Sequence, residues 1–506
     1  MPGGYLQLAA YGSQDFYLTG NPQISFFKTV YRRYTNFAMD YVRIDPDGNI
    51  GLSETEVVTY KFKIERNADL ISNIYFSFTL PSIYSSNGTD FQWIKNIGFN
   101  IINKVSIFIG GSLIDENYGE WFDIWNELTI EESKKENFNK MIGNIPELYD
   151  PANAPGNNGY YPEKNKPPGN NIPSIEGRII RVPLIFWFNR NPSLALPLVA
   201  LQYEPVQIDV EIKKLADLYT IVDTNFNNIT FGTRIKPEKN ISDYSSRYSI
   251  HNFVDDPSLI SGVGAETRLA NFVIDPFLDI NYIFLDNEEM KRFAKSEHKY
   301  LIEQVKKSEF KGILGNDTLN LLVHHPTSYM VIVAKRNDAE ERNDWNNYTN
   351  WIDEKIPPFS EGFNNVYYER YWEDTVATEK VTDVNYHLKK TPFILNNLQL
   401  KLNGIDRFTA QSTDFFNRLV PQGYAKRIPK DGIMFYSFSI NPFDYQPSGS
   451  CNMSRFNSIE LFLETVQTPI PSELNENLYK FDINVYTVNY NILRISSGMG
   501  NVEFSN

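Results

Sequence analysis

VSIFIGGSLIDE, residues 105–116, decides the fold. A short, mostly apolar run, Val105–Ile109, meets Gly110-Gly111, and paired glycines accept the positive φ angles of a tight two-residue turn, so the stretch predicts a β-hairpin. A helix is expected next, because Trp121, Ile124, Trp125 and Leu128 share one helical face. The same series returns later in the chain. LQLKLNGIDRF, residues 398–408, carries an Asn403-Gly404 turn, and Phe415, Phe416 and Leu419 within Asp414–Val420 suggest a second short helix. Downstream, Pro183–Phe188 runs into Asn191-Pro192 and Ile433–Ile440 into Asn441-Pro442, each followed by another strand candidate. The order strand, turn, strand, helix, long loop, strand, Asn-Pro turn and strand occurs twice, which predicts a duplicated β domain.

Period-two alternation dominates elsewhere. In VQIDVEI, Val206, Ile208, Val210 and Ile212 fall on one face and Gln207, Asp209 and Glu211 on the other, as in a half-buried strand. Further strands are expected at Val57–Ile64, Ile71–Leu80, Ile101–Ile109, Arg178–Phe188, Tyr300–Val305, Tyr329–Ala334 and Ile459–Leu463. Between the repeats, YIFLD reads as a strand and NEEMKRFA as a short helix, capped by Asp286 or Asn287 with Glu288 and Glu289 at its positive end.

The 506 residues suit two domains. The expected division is an arm at 1–27, a first domain at 28–295 with insertions at 143–176 and 214–279, and a second domain at 296–506 with an insertion at 335–380. The first insertion, dense in Pro, Gly and Asn, reads as a surface loop. The third carries Trp345, Trp351 and Trp372 among many charges, which suits a small satellite core or a partner contact.

A net charge of −14 argues against direct binding of nucleic acid, because an acidic surface repels phosphates. The lone cysteine, Cys451, excludes an intrachain disulfide and fits assembly in a reducing compartment. With no long apolar run, no secretory leader and Pro2 in place of a myristoylated glycine, the chain is expected to be soluble until it assembles.

The N-terminal stretch AYGSQDFYLTGNPQISFFKTVYRRYTNFA, residues 10–38, is crowded with aromatics yet has no clean helical or strand period, so it must lie against something else. It resembles the N-terminal signature of major capsid proteins of nucleocytoplasmic large DNA viruses. Five more blocks in the same order resemble that family: residues 183–212, 279–305, 398–408, 446–461 and 489–500. The resemblance implies a mainly β fold, a tandem double jelly roll of two eight-stranded antiparallel sandwiches with long loop insertions and a few short helices. It further implies a non-enzymatic shell protein that forms pseudo-hexagonal homotrimeric capsomers of an icosahedral virion, made and assembled in the host cytoplasm. Its partners would be other copies of itself and of neighbouring capsomers, minor capsid proteins, and an internal viral membrane reached through the arm. The assembly candidates are Phe26, Phe27, Lys28, Tyr31, Arg32, Arg33 and Tyr34. The basic members suit either a salt-bridged element packed under the first domain or an acidic partner. Competing readings are a minor double-jelly-roll shell protein and a carbohydrate-binding jelly roll.

No catalytic or cofactor motif is evident. His251, His298, His324, His325 and His387 lack metal spacing, and the glycine pairs at 262–264 and 498–500 lack a phosphate-loop context. Asp45, Asp47, Asn49 and Glu56 imitate a calcium loop with misplaced glycines, so a plain turn is expected. Asn-x-Ser/Thr sequons occur at Asn87, Asn228, Asn240, Asn316, Asn347 and Asn452; without a leader they are expected to remain unmodified.

Overall fold

The computed structural model describes residues 3–48, 51–53, 56–85, 89–157, 161–162, 172–223, 234–235, 250–254, 274–350, 393–468 and 479–504. Twelve strands build the first half: β1 Phe37–Ile44, β2 Val58–Ile64, β3 Leu70–Leu80, β4 Thr89–Trp93, β5 Ile102–Ile109, β6 Ser112–Tyr118, β7 Arg178–Pro183, β8 Leu196–Pro197, β9 Val206–Ile212, β10 Tyr219–Asp223, β11 Arg234–Ile235 and β12 Phe277–Leu285. Ten build the second: β13 His298–Ile313, β14 Asn316–Asn320, β15 Pro326–Arg336, β16 Leu395–Leu402, β17 Ile405–Ser412, β18 Ile433–Ser437, β19 Cys451–Asn452, β20 Ile459–Thr465, β21 Phe481–Ser496 and β22 Met499–Val502.

The pairing shows the duplication directly. In the first half one sheet runs β1-β12-β3-β7 and the other β2-β9-β5-β6; in the second they run β13-β21-β15-β18 and β14-β20-β16-β17. Each strand in these four orders has its counterpart in the same place, down to short β8 on β3 and β19 on β15; among the described residues β4, β10, β11 and β22 have none. Each half is therefore a two-sheet antiparallel sandwich, and the chain is a double jelly roll. The two hairpins close as the turn residues require. Gly110 and Gly111 have φ of 58° and 84°, Asn403 and Gly404 have 51° and 75°, and the flanking pairs are Ile109↔Ser112 and Leu402↔Ile405.

β15 explains why its sequence, TSYMVIVA, is apolar without alternation. Met330, Ile332 and Ala334 face the second sandwich core, whereas Tyr329, Val331 and Val333 join a cluster that is continuous with the first domain. A strand buried on both faces needs apolar groups at every position. The two domains thus share an apolar junction in addition to having separate interiors.

Several expected boundaries shift. The strand expected at Arg178–Phe188 ends at Pro183, and Trp187–Arg190 is a helical turn. Ile433–Ile440 is strand only to Ser437, where the Ser437 hydroxyl bonds into the following turn through Ser439. Tyr300–Val305 is a fragment of the much longer β13. The helix expected at Asp414–Val420 is a π-turn at Phe415–Leu419 that continues as Val420–Tyr424.

The insertions also hold more structure than loops would. Within 143–176, Pro146–Tyr149 and Pro151–Asn153 are helical turns and Leu148 is fully buried, because Pro at the first helical position starts a turn as readily as it breaks one. Within 214–279, β10 pairs with β4 and β12 starts at Phe277. The third insertion begins inside β15, and its residues 337–350 pack back on the first domain: the Asn343 amide donates to the carbonyls of Ala216 and Tyr219 at 2.8 Å, and the Trp345 indole to that of Asp217 at 3.0 Å. Trp351 and Trp372 lie outside the described residues. The helix Asn287–Lys295, capped by Asp286, joins β12 to β13.

Candidate assembly surfaces

The arm carries the aromatics that sequence singles out, and the structure leaves them uncovered. Gly3–Ala9 forms a helix with no buried side chain, and Phe16–Thr19 a single turn, so part of this stretch is helical despite its irregular pattern. Phe26 and Phe27 are 89% and 99% exposed, and Tyr31 and Tyr34 are nearly as open. Lys28, Arg32 and Arg33 are exposed and make no ion pair among the described residues, so the salt-bridged element packed under the first domain is not what forms. The exposed stretch continues through Tyr41, into β1. A contiguous apolar surface of this kind is uncommon on an isolated soluble chain.

A second polar constellation sits where the domains meet. The helix Gly119–Thr129 lays Trp121 against Tyr486 and Tyr329, with ring centroids 5.3 and 6.3 Å away. Beside it the Glu120 carboxylate meets Lys335 Nζ at 2.5 Å and accepts from the Tyr486 hydroxyl and the Asn484 amide, both at 2.6 Å. Burial pushes this carboxyl up, but the charges of Lys335 and Lys307 together with the hydrogen bonds from Lys335 and Tyr486 outweigh it and bring it down to about 2. Asp123, one turn on, takes Lys430 at 2.7 Å and the Asn96 amide at 2.8 Å. Glu127 pairs with Arg427 at 2.9 Å, and Arg190 of the first domain pairs with Glu303 of β13. The acidic face of one helix is thus neutralised by cations of the other domain. Nearby, Lys213 lies 3.9 Å over the Trp345 ring; burial, reinforced by the charge of Lys335, lowers its amine to about 7.

Sequence reasoning found the aromatic stripe of this helix but missed its acidic partners. The signal is present as Glu120, Asp123 and Glu127 spaced three and four apart, but Lys335 falls in a stretch that reads as an insertion, so nothing in the sequence pairs it with them.

The remaining candidates make local contacts. Asp45 is held by Arg43 Nε at 2.7 Å, the Asp47 backbone N–H donates to the Lys61 carbonyl at 2.8 Å, Glu56 is exposed, and Asn49 lies outside the described residues. The His298 Nε2–H donates to the Phe293 carbonyl, 2.7 Å away, and the backbone N–H of His325 donates to the Ser454 hydroxyl oxygen. His324 is exposed; His387 and the side chain of His251 lie outside the described residues. Cys451 is half-buried, and burial raises its thiol. Asn316 is exposed on β14, Asn347 is half-buried and caps its own turn through Thr349, and Asn452 is exposed and accepts from the Ser454 N–H. Asn87, Asn228 and Asn240 lie outside the described residues.

Comparison with known proteins decides the family. Residues 25–256 match the model described as major capsid protein N-terminus, and residues 289–501 that of the large eukaryotic DNA virus major capsid protein. The major capsid protein of Phaeocystis pouchetii virus is 31% identical over 572 aligned positions, covering the whole of both chains. The chain belongs to the major capsid protein family of large eukaryotic DNA viruses. The capsid protein of Paramecium bursaria Chlorella virus 1 is 30% identical, again over the full length of both chains. Among solved structures, PBCV-1 VP54 superposes with a TM-score of 0.66 at 26% identity, covering 95% of this chain and 100% of that one. The Faustovirus major capsid protein shares the fold at a TM-score of 0.62 and 14% identity, covering 96% and 94%. The capsid chain described here is accordingly a structural component of a virion. Among its described residues, no helix is long and apolar enough to cross a membrane.

Proposed function

We propose that this capsid protein works by self-assembly alone: three copies form a pseudo-hexagonal capsomer, and capsomers tile the icosahedral shell of the virion after assembly in the host cytoplasm. The observation that carries this reading is the duplication. Two sandwiches with the same strand order and pairing give three chains six similar domains around a threefold axis, an outline that fits a sixfold lattice. An obligate interface of this kind buries on the order of 2,000 Å² or more and draws on apolar and aromatic groups.

In the same reading the arm faces inward. Phe26, Phe27, Tyr31 and Tyr34 supply apolar surface and Lys28, Arg32 and Arg33 supply charge for minor capsid proteins or the acidic face of an internal membrane. The reading is tested by analytical ultracentrifugation of the purified chain. A species of three chains is expected; a stable monomer at micromolar concentration overturns it.

A further inference from the structure

Charges at the junction of the two sandwiches fall into two kinds. Some are balanced pairs, such as Asp123 with Lys430 and Glu127 with Arg427. Two triads are not balanced, and each straddles the junction. The first joins two carboxylates to one cation: Arg190 pairs with Glu303 of β13 and faces Asp115 of β6. Asp115 is 5% exposed; its Oδ2 accepts from the Asn117 amide at 3.2 Å, and its Oδ1 is buried without a hydrogen-bond partner. Backbone N–H groups of Glu116 and Val305 also face this carboxyl, yet burial outweighs them and Arg190 and pushes it up to about 7. Burial raises Glu303 as well, against the pull of Arg190. The phenols of Tyr329 and Tyr490 face the same cluster, and burial raises both, so neither adds charge near neutrality. One buried negative charge is left over, and gaining a proton removes it.

The second triad has the opposite sign. Two cations, Lys213 just after β9 and Lys335 of β15, face the one carboxylate of Glu120. Lys335 pairs with it at 2.5 Å, whereas Lys213 rests on the Trp345 ring, 3.9 Å away. Lys307 also faces Glu120 but has its own partner in Glu309 at 3.8 Å. Asp217 and the exposed Glu340 act on Lys213 in the favourable sense, yet burial, reinforced by the charge of Lys335, prevails and lowers its amine to about 7. One positive charge is left over, and losing a proton removes it.

We infer that the junction between the sandwiches is a two-ended proton latch, loosest near neutral pH: acid tightens it by uncharging Asp115, and base tightens it by uncharging Lys213. The signs follow from linkage. Asp115 titrates higher in the folded chain than its ordinary 3.8, so stability grows as the pH falls from about 7 toward 4. Lys213 titrates lower than its ordinary 10.5, so stability grows as the pH rises from about 7 toward 10. The two meet in a minimum near pH 7, within the range where proteins are commonly most stable.

Urea unfolding of the full chain between pH 6 and 8, at one protein concentration, tests the latch with wild type, Asp115→Asn and Lys213→Met. Asp115→Asn keeps the shape of the side chain and removes its titration. The ratio of the wild-type unfolding constant to that of Asp115→Asn is expected to fall about tenfold from pH 8 to pH 6. Against Lys213→Met the same ratio is expected to fall about tenfold in the other direction, from pH 6 to pH 8. The wild-type constant itself is expected to peak near pH 7 and to be about threefold lower at either end. Ratios that stay within about twofold, or that slope the same way for both variants, overturn the inference. If a variant fails to fold, as judged by circular dichroism at pH 7, the wild-type profile decides alone: a stability maximum near pH 7 overturns the latch, and a minimum there supports it.

Discussion

Glu120→Gln tests the domain junction most sharply, because it removes one charge and little else. The carboxylate it replaces meets Lys335 at 2.5 Å and accepts from Tyr486 and Asn484, with only 12% of its side chain exposed. Its pKa falls from an ordinary 4.5 to about 2, and at about 1.4 kcal/mol per unit this amounts to about 3 kcal/mol of folding stability. That agrees with the roughly 3–5 kcal/mol typical of removing one partner from a buried ion pair. Because the folded value lies below the unfolded one, the contribution is complete above about pH 4.5 and fades as the pH falls toward 2. Urea unfolding of wild type and variant at pH 7 should therefore differ by about 3 kcal/mol, and the gap should narrow at pH 3. The double variant Glu120→Gln with Lys335→Met should recover much of the loss, since it leaves no unpaired buried charge. A single variant within about 0.5 kcal/mol of wild type at pH 7 would refute the view that this pair fastens the two domains.

Other consequences follow from named contacts. Gly119→Ala would place a methyl 2.0 Å from the Ile102 carbonyl oxygen, so a thermal melt should show a loss at or above the roughly 1–3 kcal/mol usual for overpacking. Gly404→Ala meets nothing within 4 Å but must hold φ at 75°, so its cost should be backbone strain alone, about 1–2 kcal/mol by chemical denaturation. Lys213→Met should stabilise the chain at pH 7. With the folded amine lowered to about 7, the unfolded chain binds more protons between there and 10.5, so wild-type stability recovers as pH rises through that window and the gap between the two closes. Deleting residues 1–21 should leave trimers intact on a sizing column while impairing particle assembly, and loss of the trimer itself would make the arm a clamp between subunits.

What the sequence disclosed and what it hid divide along physical lines. Hairpins were legible because the Gly110-Gly111 and Asn403-Gly404 turns impose backbone geometry that few residues accept. VQIDVEI was legible because one of its faces is polar. β15 gave only its middle, since a strand covered on both sides lacks the alternation that marks its ends, and Lys335 was therefore read as loop. Pro146 and Pro151 were read as breakers although each opens a helical turn. The polar junction was hidden for a further reason: Glu120 and Lys335 lie far apart in the chain, and only the packing of one domain on the other brings them together. The aromatic arm was legible as apolar surface in need of cover, but nothing local to it specifies the partner.

The central claim is that a duplicated sandwich becomes a six-lobed, threefold capsomer. Electron micrographs of the purified protein viewed end-on test it most directly. The account predicts a hexagonal outline whose six lobes alternate between two kinds, with threefold symmetry. Particles of two lobes, or rings of any other number of chains, would contradict it.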